Sequence, residues 1–179
     1  MTHRNPDTLT PLVPGLISSP MLNTLLRKTR SFIHLPWFTK LWLLPLWLLL
    51  GISKALIFTV SFRRLAPHLG QTIGVASWVP LLDAAQQARA IQIGRAVRLT
   101  ASYTPWNSNC FPQAVAARML LGFYGIPYAL HFGLMRDEQT LEMKAHAWVV
   151  AGRVPVTGGV SFGQFTVVGV FVSPRLVNA

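Results

Sequence analysis

The sequence predicts an α+β domain in which helices come first and an antiparallel sheet follows. Two observations carry that prediction. Up to Gly125 the apolar residues recur at helical spacing, and from Tyr128 onward the period changes to two. Helical and strand patterns are therefore segregated along the chain instead of alternating, which argues for α+β over α/β.

The first 37 residues are rich in proline and hydroxyl side chains and are expected to be poorly ordered. Arg4, Pro6, Asp7, Pro11 and Pro14 give the start no apolar core of the kind a secretory signal needs. The domain itself is expected over 38–179. Its most apolar segment is 41–62, opening Leu41-Trp42-Leu43-Leu44-Pro45-Leu46-Trp47. About twenty residues suffice to cross a bilayer, and Pro45 is tolerable near a helix start. Lys54 lies inside the run and weighs against a span, at about 2.5–3.5 kcal/mol near a helix centre. Core helices, a membrane-surface contact and a span all stay open at this point.

Residues 79–100 read as a helix through Leu81, Leu82, Ala85, Ala88, Ile91, Ala96 and Leu99, with Asp83 in its first turns. The next helix is expected to begin at Cys110. Asn109 suits an N-cap, and Pro112 falls in the first turn, where a missing N–H is harmless. Gly122 or Gly125 ends it. Strands are expected at Tyr128–Met135, Met143–Val150, Arg153–Thr157 and Gln164–Val172, with Ala151-Gly152 as a tight turn.

Of 179 residues 51% are hydrophobic and 12% charged, so the chain is more apolar than most soluble domains. The net charge of +11 reflects only five acidic residues: Asp7, Asp83, Asp137, Glu138 and Glu142. Such a charge suits an anionic partner. No arginine-rich run with interleaved aromatics and no zinc-finger or RNA-recognition signature accompanies it, so nucleic-acid binding is not expected. One cysteine excludes an internal disulfide framework and leaves a zinc site dependent on histidines and carboxylates; no metal is expected. It fits a reducing compartment, and the expected location is cytoplasmic with membrane association left open.

That cysteine, Cys110, is the candidate nucleophile. At a helix start the dipole favours the thiolate, and N–H groups without helical partners can hold an oxyanion. His146, in Ala145-His146-Ala147-Trp148-Val149, is the candidate base. Trp148 and Lys144 share its strand face, where the indole could shield the site from water. His131 is the competing histidine. A third group normally fixes the imidazole tautomer. With Ala151-Gly152 as the turn, His146 falls opposite Thr157, next to Gly158 and Gly159. Glu142 shares the His146 face but lies roughly 13 Å along the strand. Asp137 and Glu138 sit in a connection. Thr157, a main-chain carbonyl or Gln164 are the remaining orienters.

At these residues the chain resembles a known family. The Trp-x-x-x-Cys-x-x-Gln-Ala pattern at 106–114 and Gly125-Ile126-Pro127 belong to the likeness. So do Phe132-Gly133, the strand around His146, and Val156-Thr157-Gly158-Gly159. Together they resemble the lasso-peptide biosynthesis B protein, the transglutaminase-like leader peptidase of microcin-type maturation. The segment Phe62-Arg63-Arg64-Leu65-Ala66-Pro67-His68-Leu69-Gly70 resembles the helical start of the same domain, so the likeness covers 38–172. It implies a papain-like fold of the transglutaminase type, with Cys110 as nucleophile and His146 as base. It implies leader removal from a ribosomally made precursor, in company with a lasso cyclase. No cofactor would be bound directly, ATP being needed by the maturation complex. The family's acid follows the histidine by about a dozen residues, where this chain has Gly158-Gly159. No acid is carried over; a substitute orienter, a subgroup variant and lost activity are the alternatives. Residues 1–37 lack the strand pattern of the family's leader-gripping domain, so a separate leader-binding protein is expected. Two other readings stand beside this one: a non-catalytic peptide-binding scaffold, and a small membrane-associated protein whose motifs are packing.

Overall fold

A computed structural model describes residues 34–76, 79–159 and 161–174. The tail expected to be poorly ordered, 1–37, lies almost wholly outside them. One long helix, α1 (Trp37–Thr59), carries the apolar segment, and Pro45 sits inside it. A single turn, α2 (Phe62–Leu65), a 3-10 turn (Ala66–His68) and the two-residue strand β1 (Gln71–Thr72) follow.

Helix α3 runs Ala84–Ala101, five residues shorter at its start than the periodicity suggested. The reason is local. The Asp83 carboxylate accepts from Gln86 N–H at 2.7 Å while the Gln86 side chain accepts from Asp83 N–H at 3.2 Å. That capping box fixes the helix start, and leaves Leu81 outside the helix and exposed. Helix α4 runs Cys110–Phe123 with Asn109 at the N-cap position, although the Asn109 side chain makes no cap hydrogen bond. At its end Gly125 adopts φ +65, and Ile126 N–H donates to Leu121 C=O while Gly125 N–H donates to Gly122 C=O. This is a Schellman ending, which needs the left-handed residue that glycine supplies.

The strands β2 (Ala129–Arg136), β3 (Met143–Ala151), β4 (Val154–Thr157) and β5 (Thr166–Val172) join β1 in one antiparallel sheet of order β1-β5-β2-β3-β4. The α+β order of helices followed by an antiparallel sheet is thus the observed one. Helix α4 packs on β3 and α3 on β4, with α1 laid against both helices. Leu46 and Leu50 of α1, Ile93 and Val97 of α3, Leu121 of α4 and Val149 of β3 are fully buried in this core. Helix and sheet approach closely at Gly94, where an added Cβ would lie 2.6 Å from Val156 O. The Arg98 guanidinium donates to that same carbonyl at 2.9 Å.

Helix α1 is long and apolar enough to cross a membrane, yet it is not free of the domain. Trp42 Nε1–H donates to the Tyr124 hydroxyl at 2.8 Å, and Trp47 packs on Trp106 with ring centroids 4.8 Å apart. Gly51 makes room for that indole, since a Cβ there would sit 3.0 Å from Trp106 Cζ2. The opposite side of α1 presents Trp37, Leu41, Leu44, Leu48 and Ile52 to the outside, an apolar stripe at spacings of three and four.

Candidate active site

Cys110 is the first residue of α4, and the loop before it is tied down on several sides. The Thr104 hydroxyl lies within hydrogen-bonding distance of Ala101 O, Trp106 O and the Ser108 hydroxyl. Gln113 Nε2 donates to Ser108 O at 2.8 Å. These contacts set where α4 begins and so where the thiol stands. At that start the N–H groups of Cys110 and Phe111 precede the first intrahelical bonds, which makes them available to an oxyanion.

Cys110 and His146 line the same cavity, which has a volume of about 550 Å³. His146 lies near the middle of β3, opposite Gly133 of β2. Its ring stacks on Trp148, with centroids 5.8 Å apart, and on Phe165, at 4.9 Å. Gly133 leaves the space for both partners: a Cβ there would lie 2.7 Å from Phe165 Cβ and 2.8 Å from Trp148 Cζ3. A bulge in the β2–β5 ladder at Phe132/Gly133 leaves Val168 as the extra residue, and Val168 joins the cavity lining. Bulges next to active sites often re-aim a side chain in this way.

The third partner of the imidazole is a main-chain carbonyl. His146 Nε2 lies 2.9 Å from Gly158 O. A carbonyl oxygen can only accept, so Nε2 carries the proton and Nδ1 keeps the lone pair that a base requires. This replaces the register expected from the sequence. The turn after β3 is one residue later, with Ala151 paired to Val154, and a bulge follows between Val149 and Val150. Thr157 therefore lies opposite Val149, whose N–H donates to its hydroxyl, and not opposite His146. The next residue, Gly158, turns at φ +94. A side chain there would place Cβ 2.2 Å from Trp148 Cβ. The position expected of an acid is thus one where only glycine fits.

The other residues considered are elsewhere. Asp137 pairs with Lys144, and this bond, with N–H donors from Thr140 and Gln139, holds the Asp137 carboxyl well below the usual carboxylate range. Gln164 groups with Met135–Gln139 and Thr166, away from the cavity. Among the described residues no group of three His, Cys, Asp or Glu is placed to hold a metal ion.

His131, the competing histidine, is buried on the same sheet face, opposite Trp148 in the ladder and stacked on it with centroids 5.3 Å apart and rings 4° from parallel. Burial pushes its pKa below the ordinary histidine value, against a smaller opposing effect of the Ala129 backbone. A depressed folded pKa means that the unfolded chain takes up the proton first as pH falls. Stability is then complete above the unfolded value of about 6.5 and declines as pH drops through it. His131→Phe keeps the stack and removes that proton. Urea unfolding between pH 8 and 5.5 is expected to show a smaller fall in midpoint for the variant than for the wild type. Equal slopes would contradict the buried neutral imidazole.

The geometry is that of a thiol at a helix start and a strand histidine lining one cavity. A family model described as the Transglutaminase-like superfamily matches residues 55–170. The chain belongs to the transglutaminase-like superfamily. Searches of curated proteins and of solved structures return no match. The matched span takes in Cys110, His146 and Gly158, together with the end of α1 that lines the cavity. This superfamily includes cysteine peptidases and transglutaminases, which share the attack of a thiolate on an amide carbonyl.

Proposed function

We propose that this transglutaminase-like protein is a cysteine peptidase that removes the leader from a ribosomally made precursor peptide during lasso-peptide maturation. The observation that carries the reading is the His146 Nε2–Gly158 O bond at 2.9 Å on the cavity that also holds Cys110. In the proposed cycle His146 Nδ1 takes the Cys110 thiol proton and the sulfur attacks the scissile carbonyl. The N–H groups at the start of α4 receive the oxyanion. The imidazolium then gives its proton to the leaving amine, and water hydrolyses the thioester to free the acid and the thiol. An amine arriving in place of water would give acyl transfer by the same first half.

On this reading the partners are the precursor leader, a separate leader-binding protein and a lasso cyclase. No cofactor binds directly, and ATP serves the maturation complex. The protein works in the cytoplasm. The exposed stripe from Trp37 to Ile52 and the net charge of +11 support contact with an anionic membrane surface. The alternative, a non-catalytic peptide-binding scaffold, draws on the carbonyl that stands where a carboxylate would be expected.

Mass spectrometry of a candidate precursor incubated with the protein, its leader-binding partner and ATP tests the proposal. Separate leader and core masses are expected. An intact precursor with the partner verified as bound would favour the scaffold.

A further inference from the structure

The cavity beside Cys110 is walled by apolar side chains, and several of them are left exposed by the fold. Phe58 is 75% exposed, and Phe62 and Val168 are each 50% exposed, although all three line it. Ile57, Phe132 and Leu134 continue the same wall. Phe62 and Phe132 meet edge to face at 5.2 Å, so the aromatic part of the wall is already assembled. Among the described residues, the one polar side chain on the lining besides the Cys110–His146 pair and Asn109 is Lys54, whose ammonium lies 5.1 Å over the Phe58 ring. The volume of about 550 Å³ falls within the roughly 300–1,000 Å³ of pockets that hold a ligand of several residues' bulk.

We infer that this cavity is a specificity subsite that takes a large apolar side chain, aliphatic or aromatic, from a substrate residue adjoining the scissile bond. The subsite joins the last turns of α1 to the catalytic groups. The apolar character of that helix end therefore serves recognition as well as packing. Covering Phe58, Phe62 and Val168 would remove from water the surface that the fold leaves open. Full burial of one such substrate side chain is expected to change kcat/KM by about 10- to 100-fold relative to alanine at that position.

For its natural substrate the inference rests on the peptidase reading, so its test is chosen to stand apart from cleavage. Cys110 is alkylated with iodoacetamide, N-benzyliodoacetamide or iodoacetate, and labelling is followed by intact mass. The rate for the benzyl reagent is divided by that for iodoacetamide, and the same ratio is measured for glutathione. The protein ratio is expected to exceed the glutathione ratio by at least ten-fold. In Phe58→Asp it should fall towards glutathione's. In Leu44→Ser, a change on the exposed stripe of the same helix, it should persist. A protein ratio equal to glutathione's, a preference for iodoacetate, or no labelling of Cys110 by any reagent would each overturn the subsite. Precursor cleavage plays no part in the measurement, so an uncleaved precursor with a strong benzyl preference would sink the peptidase reading and leave the subsite standing.

Discussion

Cys110→Ala is expected to lower leader removal by about 10⁴–10⁶-fold, the range seen when a nucleophile that acts as a unit with its base is deleted. Alanine at the first position of α4 is sterically mild, because the cysteine there is only partly buried and alanine is a strong helix former. The thermal midpoint should therefore stay close to that of the wild type. The loss should also be non-additive: His146→Ala on top of Cys110→Ala should cost little more, since an imidazole with no thiol to deprotonate has no further role in the attack. Steady-state cleavage rates for the single and double variants check both points. Residual activity within ten-fold of wild type would show that the bond is broken elsewhere.

Gly158→Ala is expected to damage both the fold and the site. The residue sits at φ +94, a conformation costing an L side chain about 1–3 kcal/mol. The new Cβ would also lie 2.2 Å from Trp148 Cβ, where carbon atoms prefer about 3.5–4.0 Å. Trp148 is buried and stacked between His131 and His146, so it cannot retreat without moving both rings. Together these effects should reach at least about 3 kcal/mol, a fall in thermal midpoint of roughly 6–12 °C for a chain of this length. Activity should fall further than stability accounts for, because the carbonyl that orients the imidazole moves with its residue. Gly159→Ala is the control. It shares the positive φ, at +66, but its Cβ would meet nothing within 4 Å. Its cost should be the backbone term alone, with cleavage largely kept. Equal effects at the two glycines would show that backbone strain, and not the contact with Trp148, governs the site.

The Gly158 carbonyl also sets an expectation for the chemistry. In a Ser-His-Asp triad the carboxylate both fixes the histidine tautomer and stabilises the imidazolium. A carbonyl does the first, leaving Nε2 protonated, and does the second only as a dipole. The protein thus has the tautomer a base needs, with weaker support for the charged intermediate.

Much of this site was legible in the sequence. The change from helical to alternating period located the sheet, and Asn109 with Pro112 placed Cys110 at a helix start. The Ala-His-Ala-Trp-Val run put the histidine on a strand with an indole beside it. Three local features escaped. Leu81 and Leu82 extended the apolar period of α3 backwards, and only the reciprocal bonds of Asp83 and Gln86 show where the helix begins. The turn at Gly152 and the bulge beside Val149 shifted the β3–β4 pairing, because Gly152 adopts φ +57 and a bulge leaves no mark in residue type. The partner of His146 is a backbone atom, which residue identity cannot name. The glycine pair that looked like a missing acid was the available signal, since glycine is what a crowded, left-handed position demands. The share of α1 in the cavity was hidden for another reason. An apolar helix end reads the same whether it lines a core, a membrane or a substrate cleft.

On the proposed mechanism Cys110 forms a covalent acyl-enzyme with the precursor. Rapid acid quenching of protein, leader-binding partner and precursor, followed by peptide mapping, tests it most directly. A transient mass increase is expected on the peptide containing Cys110, equal to the N-terminal fragment of the precursor less one water and released by hydroxylamine. Cleavage of the precursor with no adduct on that peptide at any time would contradict it.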